Sequence, residues 1–163
     1  MLMEINAVSI EKDDETQVII GHAGFIKTAE DLYEAMSGAV PGVKFGVAFV
    51  EASGPCLVRS EGNDASLVSL AEKNARAIGA GHTFVIMFKN AYPINVLNSV
   101  KAVSEVSSIY CATSNPVKVI VADLGEASAV VGIADGGKAK GVEGEADRSK
   151  RRKLLRDIGY KLG

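Results

Sequence analysis

Cysteine and histidine are scarce in this 163-residue chain, with two of each. Cys56 and Cys111 lie far apart, in "GPCLV" and "IYCAT", with no CxxC pair and no histidine at ligand spacing. That set is too sparse for a structural zinc site. Both segments read as strand edges or interiors, so both cysteines are expected to be buried free thiols. The start, "MLMEINAVSIEKDDETQ", lacks the basic opening of a signal peptide and turns acidic at once. With no export route in view, a disulfide is not expected. No apolar run approaches the roughly 20 residues that cross a bilayer. The expectation is a cytoplasmic protein without a membrane partner. GxxxxGK[ST], GxGxxG, HExxH and GxSxG are all missing as well, which removes the phosphate-cradling P-loop and the familiar dinucleotide, metalloprotease and hydrolase signatures. No repeat of fixed period occurs.

What is present fits a globular protein: 47% hydrophobic and 23% charged residues, in a length that suits one domain over 1–163. The net charge of −2 hides an asymmetry. From Asp147 to the end, seven Lys/Arg face two Asp, a balance of +5, while the other 11 basic and 18 acidic residues leave −7. A basic tail on an acidic body can contact nucleic acid or an acidic neighbour in an oligomer. The tail lacks interleaved aromatics, and Leu154, Leu155 and Ile158 give it the pattern of a docked helix, so no nucleic-acid partner is expected.

"MEINAVSI" alternates and predicts a strand with Ile5, Ala7 and Ser9 on one face; "QVIIG" predicts a second. In "FIKTAEDLYEAMSGAVPG", Thr28 and Asp31 form a candidate capping box ahead of the stripe Leu32, Ala35, Met36. Strands are predicted in "VKFGVAFVEA" and "PCLVRSEG", around the turn "SGP". Asn63 or Asp64 caps a longer helix carrying Leu67, Leu70, Ala71, Asn74 and Ile78, which stops at "GAG". "HTFVIMFK" is apolar on both sides, the mark of a central strand. "YPINVLNSVKAV" predicts a helix with Pro93 in its first turn. "VSSIYCAT", "VKVIVADL" and "SAVVGIAD" are further strands, and a last helix covers about 147–158. The sum is an α/β (α+β) chain: a mixed β-sheet with helices packed on it in a layered sandwich.

Candidate chemistry gathers at the strand ends. His82 stands after Gly79 and Gly81 at the start of the central strand, a setting for a base, a metal ligand or a nucleophile towards phosphorus, and equally for a structural histidine. The far end, "KNAYPIN", offers Lys89, Asn90, Tyr92 and Asn95 before a helix whose first N–H groups suit an anion. "GHAGFIKT" places His22, Phe25, Lys27 and Thr28 in a second strand–glycine turn–helix arrangement. In "RSEGND", Glu61 and Asp64 are candidate magnesium ligands, and "ATSNP" is a weaker polar cluster.

In order, "IIGHAGFIKTAEDLYEAM", "GVAFVEASG", "RSEGND", "IGAGHTFVIMFKNAYPINVLN", "YCATSNPVKVIVAD" and "GIADG" resemble the adenosine-specific kinase family, from about Gln17 to the C-terminus. The resemblance implies an α/β protein in a symmetric oligomer, expected as a homotrimer, that binds adenosine or adenine nucleotides and carries a phosphoryl group on histidine. Matched block by block, it implies His82 as the phosphorylated residue, with His22 the less favoured one. It places Phe25, Lys27 and Thr28, and Asn90, Tyr92, Pro93 and Asn95, in the nucleotide site. Lys27 and magnesium entering with ATP would then stabilise the transferring charge. Phe25 or Tyr92 would face adenine and Asn90 or Asn95 would read it. The alternative of another class is an adenine-nucleotide-binding regulatory protein without turnover.

Overall fold

The protein is described by a computed structural model over residues 2–163. Its elements are β1 (Glu4–Ser9), β2 (Gln17–Ala23), α1 (Thr28–Ala39), β3 (Lys44–Val50), β4 (Val58–Gly62), α2 (Ala65–Ile78), β5 (Thr83–Lys89), α3 (Pro93–Lys101), β6 (Val106–Thr113), β7 (Val117–Asp123), β8 (Ser128–Asp135) and α4 (Glu145–Asp157). The expected mixture of strands and helices in layers is what the chain adopts, with the strands divided between two sheets. One holds five strands in the order β4-β3-β5-β2-β6, the other three in the order β1-β7-β8. Every pairing is antiparallel.

The central strand explains the layers. β5 lies between β3 and β2, and the residues of "TFVIMF" are all buried. A strand's side chains alternate between faces. Phe84, Ile86 and Phe88 therefore enter one core, with Leu32 and Met36 of α1 and Val96 and Val100 of α3. Val85 and Met87 enter the other, with Leu67, Ala71 and Ile78 of α2 and Val117, Val119 and Val121 of β7. The small sheet and α2 thus cover one face of the large sheet, and α1 and α3 cover the other. Phe45, Phe49, Phe84 and Phe88 are among the largest fully buried side chains, and each contributes about 1.5–3 kcal/mol by leaving water. Gly46 lets α2 lie directly on β3: a Cβ there would collide with the backbone of Leu67 and Val68.

Four expectations are corrected. β1 turns its other side inward: Ile5 is 55% exposed, while Val8 and Ile10 pack on the core shared with α2. Alternation had marked the strand, but its parity is set by pairing to β7. Thr28 is the first helical residue, not the cap. Its hydroxyl donates to the Phe25 carbonyl, and Asp31 turns its carboxylate to the Lys27 ammonium rather than to the backbone. Cys111 is buried, but Cys56 is exposed, because the β3–β4 turn continues through it with φ 51° and β4 begins at Val58. Lastly, α4 does not dock on its own body: none of its residues is buried. Its apolar side, with Leu154 56% and Ile158 53% exposed, has no cover among the described residues.

Candidate functional site

The α2–β5 junction fixes His82. Gly79 ends α2 in the left-handed conformation, φ 64°, and its N–H donates to Ala75 O. Gly81 is required for closeness instead, since a Cβ there would stand 2.8 Å from the Ala52 methyl. His82 itself has φ 64°, a conformation that carries strain outside glycine and persists where surrounding contacts impose it. The contacts are present. Its N–H donates to Val50 O at 2.8 Å, and its carbonyl accepts Ala23 N–H at 2.9 Å. The residue is clamped between the end of β3 and the end of β2.

The ring is equally held. The Phe49 ring stacks on the His82 imidazole at 5.9 Å between centroids, and the His22 ring meets it edge-on at 5.6 Å. His22 pairs across β2–β5 with Thr83. Its Nδ1 is 2.7 Å from Ser107 Oγ, and the Ser107 hydroxyl donates back to the His22 carbonyl at 3.2 Å. Burial, and then the neighbouring His82, hold the His22 imidazole below its ordinary pKa. Both histidines are half-buried.

Beside them runs the segment that enters α1. Gly24 N–H donates to Glu105 O at 3.1 Å, and Phe25 stands 55% exposed. The Lys27 ammonium contacts both Asp31 and Glu105, whose side chain is only 7% exposed. Hydrogen bonds to those two carboxylates raise the Lys27 pKa, so it remains a cation and is already paired. Thr28 is fully buried and serves the turn described above. A cleft of about 480 Å³ adjoins Lys27 and is lined also by Ile26, Glu30, Arg59 and Glu61. Arg59 lies opposite Phe49 in the β3–β4 register and donates to both Glu51 oxygens at 3.1 Å. Of the two candidate magnesium ligands, Glu61 faces this cleft, whereas Asp64 caps α2 by accepting Ser66 N–H at 3.1 Å and Leu67 N–H at 3.0 Å.

The "KNAYPIN" group is elsewhere. Seven residues of strand separate His82 from Asn90, roughly 25 Å at about 3.3 Å per residue. Within one chain these residues do not meet His82. Asn90 has φ 65°, and its amide donates to Gly42 O at 3.4 Å. Tyr92 is 65% exposed and precedes Pro93, the first residue of α3; Asn95 Oδ1 accepts Tyr92 N–H at 2.9 Å, closing the helix start. Lys89 pairs with Asp13 at 2.8 Å. With Gln17 and Glu15, this group borders a cavity of about 870 Å³.

Sequence reasoning passed over Phe49, Ser107 and Glu105, which support the two imidazoles and Lys27. Only Glu105 carries a signal of its own, as a lone acid before an apolar strand in "SEVSSIY".

A family model described as "Adenosine specific kinase" matches residues 8–161. Among solved structures, the chain is similar to PH1918 protein from Pyrococcus horikoshii OT3, known from a crystal structure. The two are 48% identical with a TM-score of 0.95, over 99% of this chain and 100% of that one. No curated protein matches the sequence.

Proposed function

The chain belongs to the adenosine specific kinase family, and from that premise we propose that it is a phosphotransferase in which His82 takes the terminal phosphoryl group of ATP and passes it to adenosine. The observation that carries this reading is the clamp on His82: a histidine in a left-handed conformation, fixed on both sides by backbone hydrogen bonds and stacked on a buried phenylalanine. A neutral ring nitrogen attacks the terminal phosphorus in line, the bond from phosphorus to the bridging oxygen breaks, and ADP leaves. Such a step depends on positioning more than on acid–base strength, which a clamped ring supplies.

Lys27 is the cation of the segment that leads from His22 into α1. It meets a phosphate oxygen by exchanging one of its two carboxylates, and Glu105, the more buried, is the one it keeps. Phe25, exposed beside it, is the ring available to adenine. Among the described residues no three His, Cys, Asp or Glu side chains are grouped to hold a metal. In this reading magnesium enters with ATP, as part of the substrate, on phosphate oxygens. The homotrimer belongs to the same reading, and the uncovered apolar side of α4 supports association between copies.

The test is intact mass after incubation with ATP and magnesium, for wild type, His82→Ala and His22→Gln. A gain of one phosphoryl group that disappears in His82→Ala is expected. A gain that survives in His82→Ala removes His82 as the carrier. No gain in any sample, with ATP still bound, favours the non-catalytic adenine-nucleotide-binding protein.

A further inference from the structure

A phosphoryl group on His82 poses a second chemical problem that the carrier cannot solve. The acceptor is an alcohol, and as its oxygen bonds to phosphorus its proton needs a base. In a near-attack geometry the oxygen stands about 3–3.5 Å from phosphorus, so the base must be a direct neighbour of the carrier ring. Among the described residues two rings pack beside His82: Phe49, which is apolar, and His22, with its centroid 5.6 Å away.

The hydrogen bonds around His22 determine which of its nitrogens is free. Ser107 Oγ lies 2.7 Å from Nδ1 and 3.2 Å from the His22 carbonyl oxygen. A hydroxyl has one hydrogen, and a carbonyl oxygen can only accept. The hydroxyl hydrogen therefore goes to the carbonyl, and the Nδ1 contact takes its hydrogen from the ring. Both bonds form together only with hydrogen on Nδ1, which leaves the lone pair on Nε2. A serine at the start of β6 thus selects the tautomer of a histidine at the end of β2.

We propose that His22 is the catalytic base of the transfer to adenosine, accepting the hydroxyl proton at Nε2, and that Ser107 is the positioning residue that fixes its tautomer. This rests on reading His82 as the phosphoryl carrier. The step balances: the oxygen–phosphorus bond forms, the nitrogen–phosphorus bond breaks with its electron pair returning to the His82 ring, and the hydroxyl proton moves to His22, which later releases it to water. The lowered pKa of His22 agrees with this role, because an imidazole must be neutral to receive a proton. Burial lowers it first, and then the His82 ring, from the turn before β5. Thr83, opposite on β5, and Ser107, on β6, do not titrate at neutral pH.

The experiment separates loading from transfer. Wild type, His22→Gln, Ser107→Ala and Ser107→Thr are incubated with ATP and magnesium and freed of nucleotide. Adenosine is then added, and protein-bound phosphate and AMP are followed across pH. His22→Gln is expected to slow transfer by about 10²-fold or more, the contribution of a positioned base, and by more than it slows loading. Ser107→Ala slows transfer less and displaces the acid side of its pH profile, while Ser107→Thr, which keeps the hydroxyl, restores both. Nitrogen NMR of the wild-type ring shows hydrogen on Nδ1 of His22. Transfer in His22→Gln within about threefold of wild type overturns the base, even where loading proceeds normally. Hydrogen on Nε2 overturns the role of Ser107. A wild type that never loads overturns the carrier itself, and this inference with it.

Discussion

The two ends of β5 are finished with similar residue types and to different effect. Each has a histidine or asparagine at positive φ, His82 at 64° and Asn90 at 65°, and each has polar side chains beside an aromatic ring. At the His82 end the ring is the buried Phe49, both histidines are half-buried, Ser107 of β6 holds His22, and Glu105, just before β6, meets Lys27, which also pairs with Asp31 of its own helix. At the Asn90 end the ring is Tyr92, 65% exposed, Asn95 closes the start of α3, Asn90 donates to Gly42 O, and Lys89 pairs with exposed Asp13. A polar group that closes its own helix satisfies a local backbone requirement. A half-buried imidazole packed on a buried ring is held more closely than an exposed side chain, which is the condition for precise chemistry. The contrast favours the first end as the reactive one.

Loading gives the sharpest break between them. Asn95→Ala is expected to keep phosphoryl loading while His82→Ala loses it entirely; equal losses in an intact-mass assay would mean that both ends serve one site. Stability separates the ends next. Phe49→Ala should cost about 3–5 kcal/mol in denaturant unfolding, the usual range for emptying a buried aromatic site, whereas Tyr92→Ala should stay within about 0.5 kcal/mol. A large loss from Tyr92→Ala would show that its ring is buried in solution. Third, Lys27→Ala should weaken ATP binding by roughly tenfold, the scale of one charge-assisted hydrogen bond. Lys89→Ala, by calorimetry under the same conditions, should change it little, because its pair with Asp13 is a surface one.

How far these features were legible follows from the range of the physics involved. Strand and helix positions are local, and β5 announced its central place through apolar residues on both faces. The glycines before His82 were readable as backbone punctuation, though Gly81 serves contact with Ala52 rather than a positive φ. The resemblance marked Asn90 to Asn95 and His82 as parts of one nucleotide site, and nothing in a linear string says that a strand holds them about 25 Å apart. Ser107 was invisible because its role depends on the β2–β6 register, which shifts at two points near His22. The inward face of β1 and the exposure of α4 depend likewise on what lies opposite them. Pairing and docking are long-range outcomes, and periodicity constrains them only up to parity.

The smallest expected effect tests the burial of the reactive end without any substrate. The His22 pKa is lowered in the folded protein from 6.5, so the unfolded chain binds the proton more readily and stability must fall with pH in that window. Stability is complete above the unfolded value, about 6.5, and declines as pH drops through the folded one. The ring is partly open to solvent, so screening keeps the effect small. Denaturant unfolding at pH 7.5 and 5.5 should show the loss in wild type and a smaller one in His22→Gln, whose side chain takes no proton. Lys89 and Asp13 are both charged throughout this range: the Lys89 pKa is raised and that of Asp13 is lowered. A Lys89→Met variant at the other end of β5 should therefore keep the wild-type pH dependence. Equal pH dependence in wild type and His22→Gln would mean that His22 titrates as it does in water, and the β2 end would lose its claim to be the more enclosed of the two.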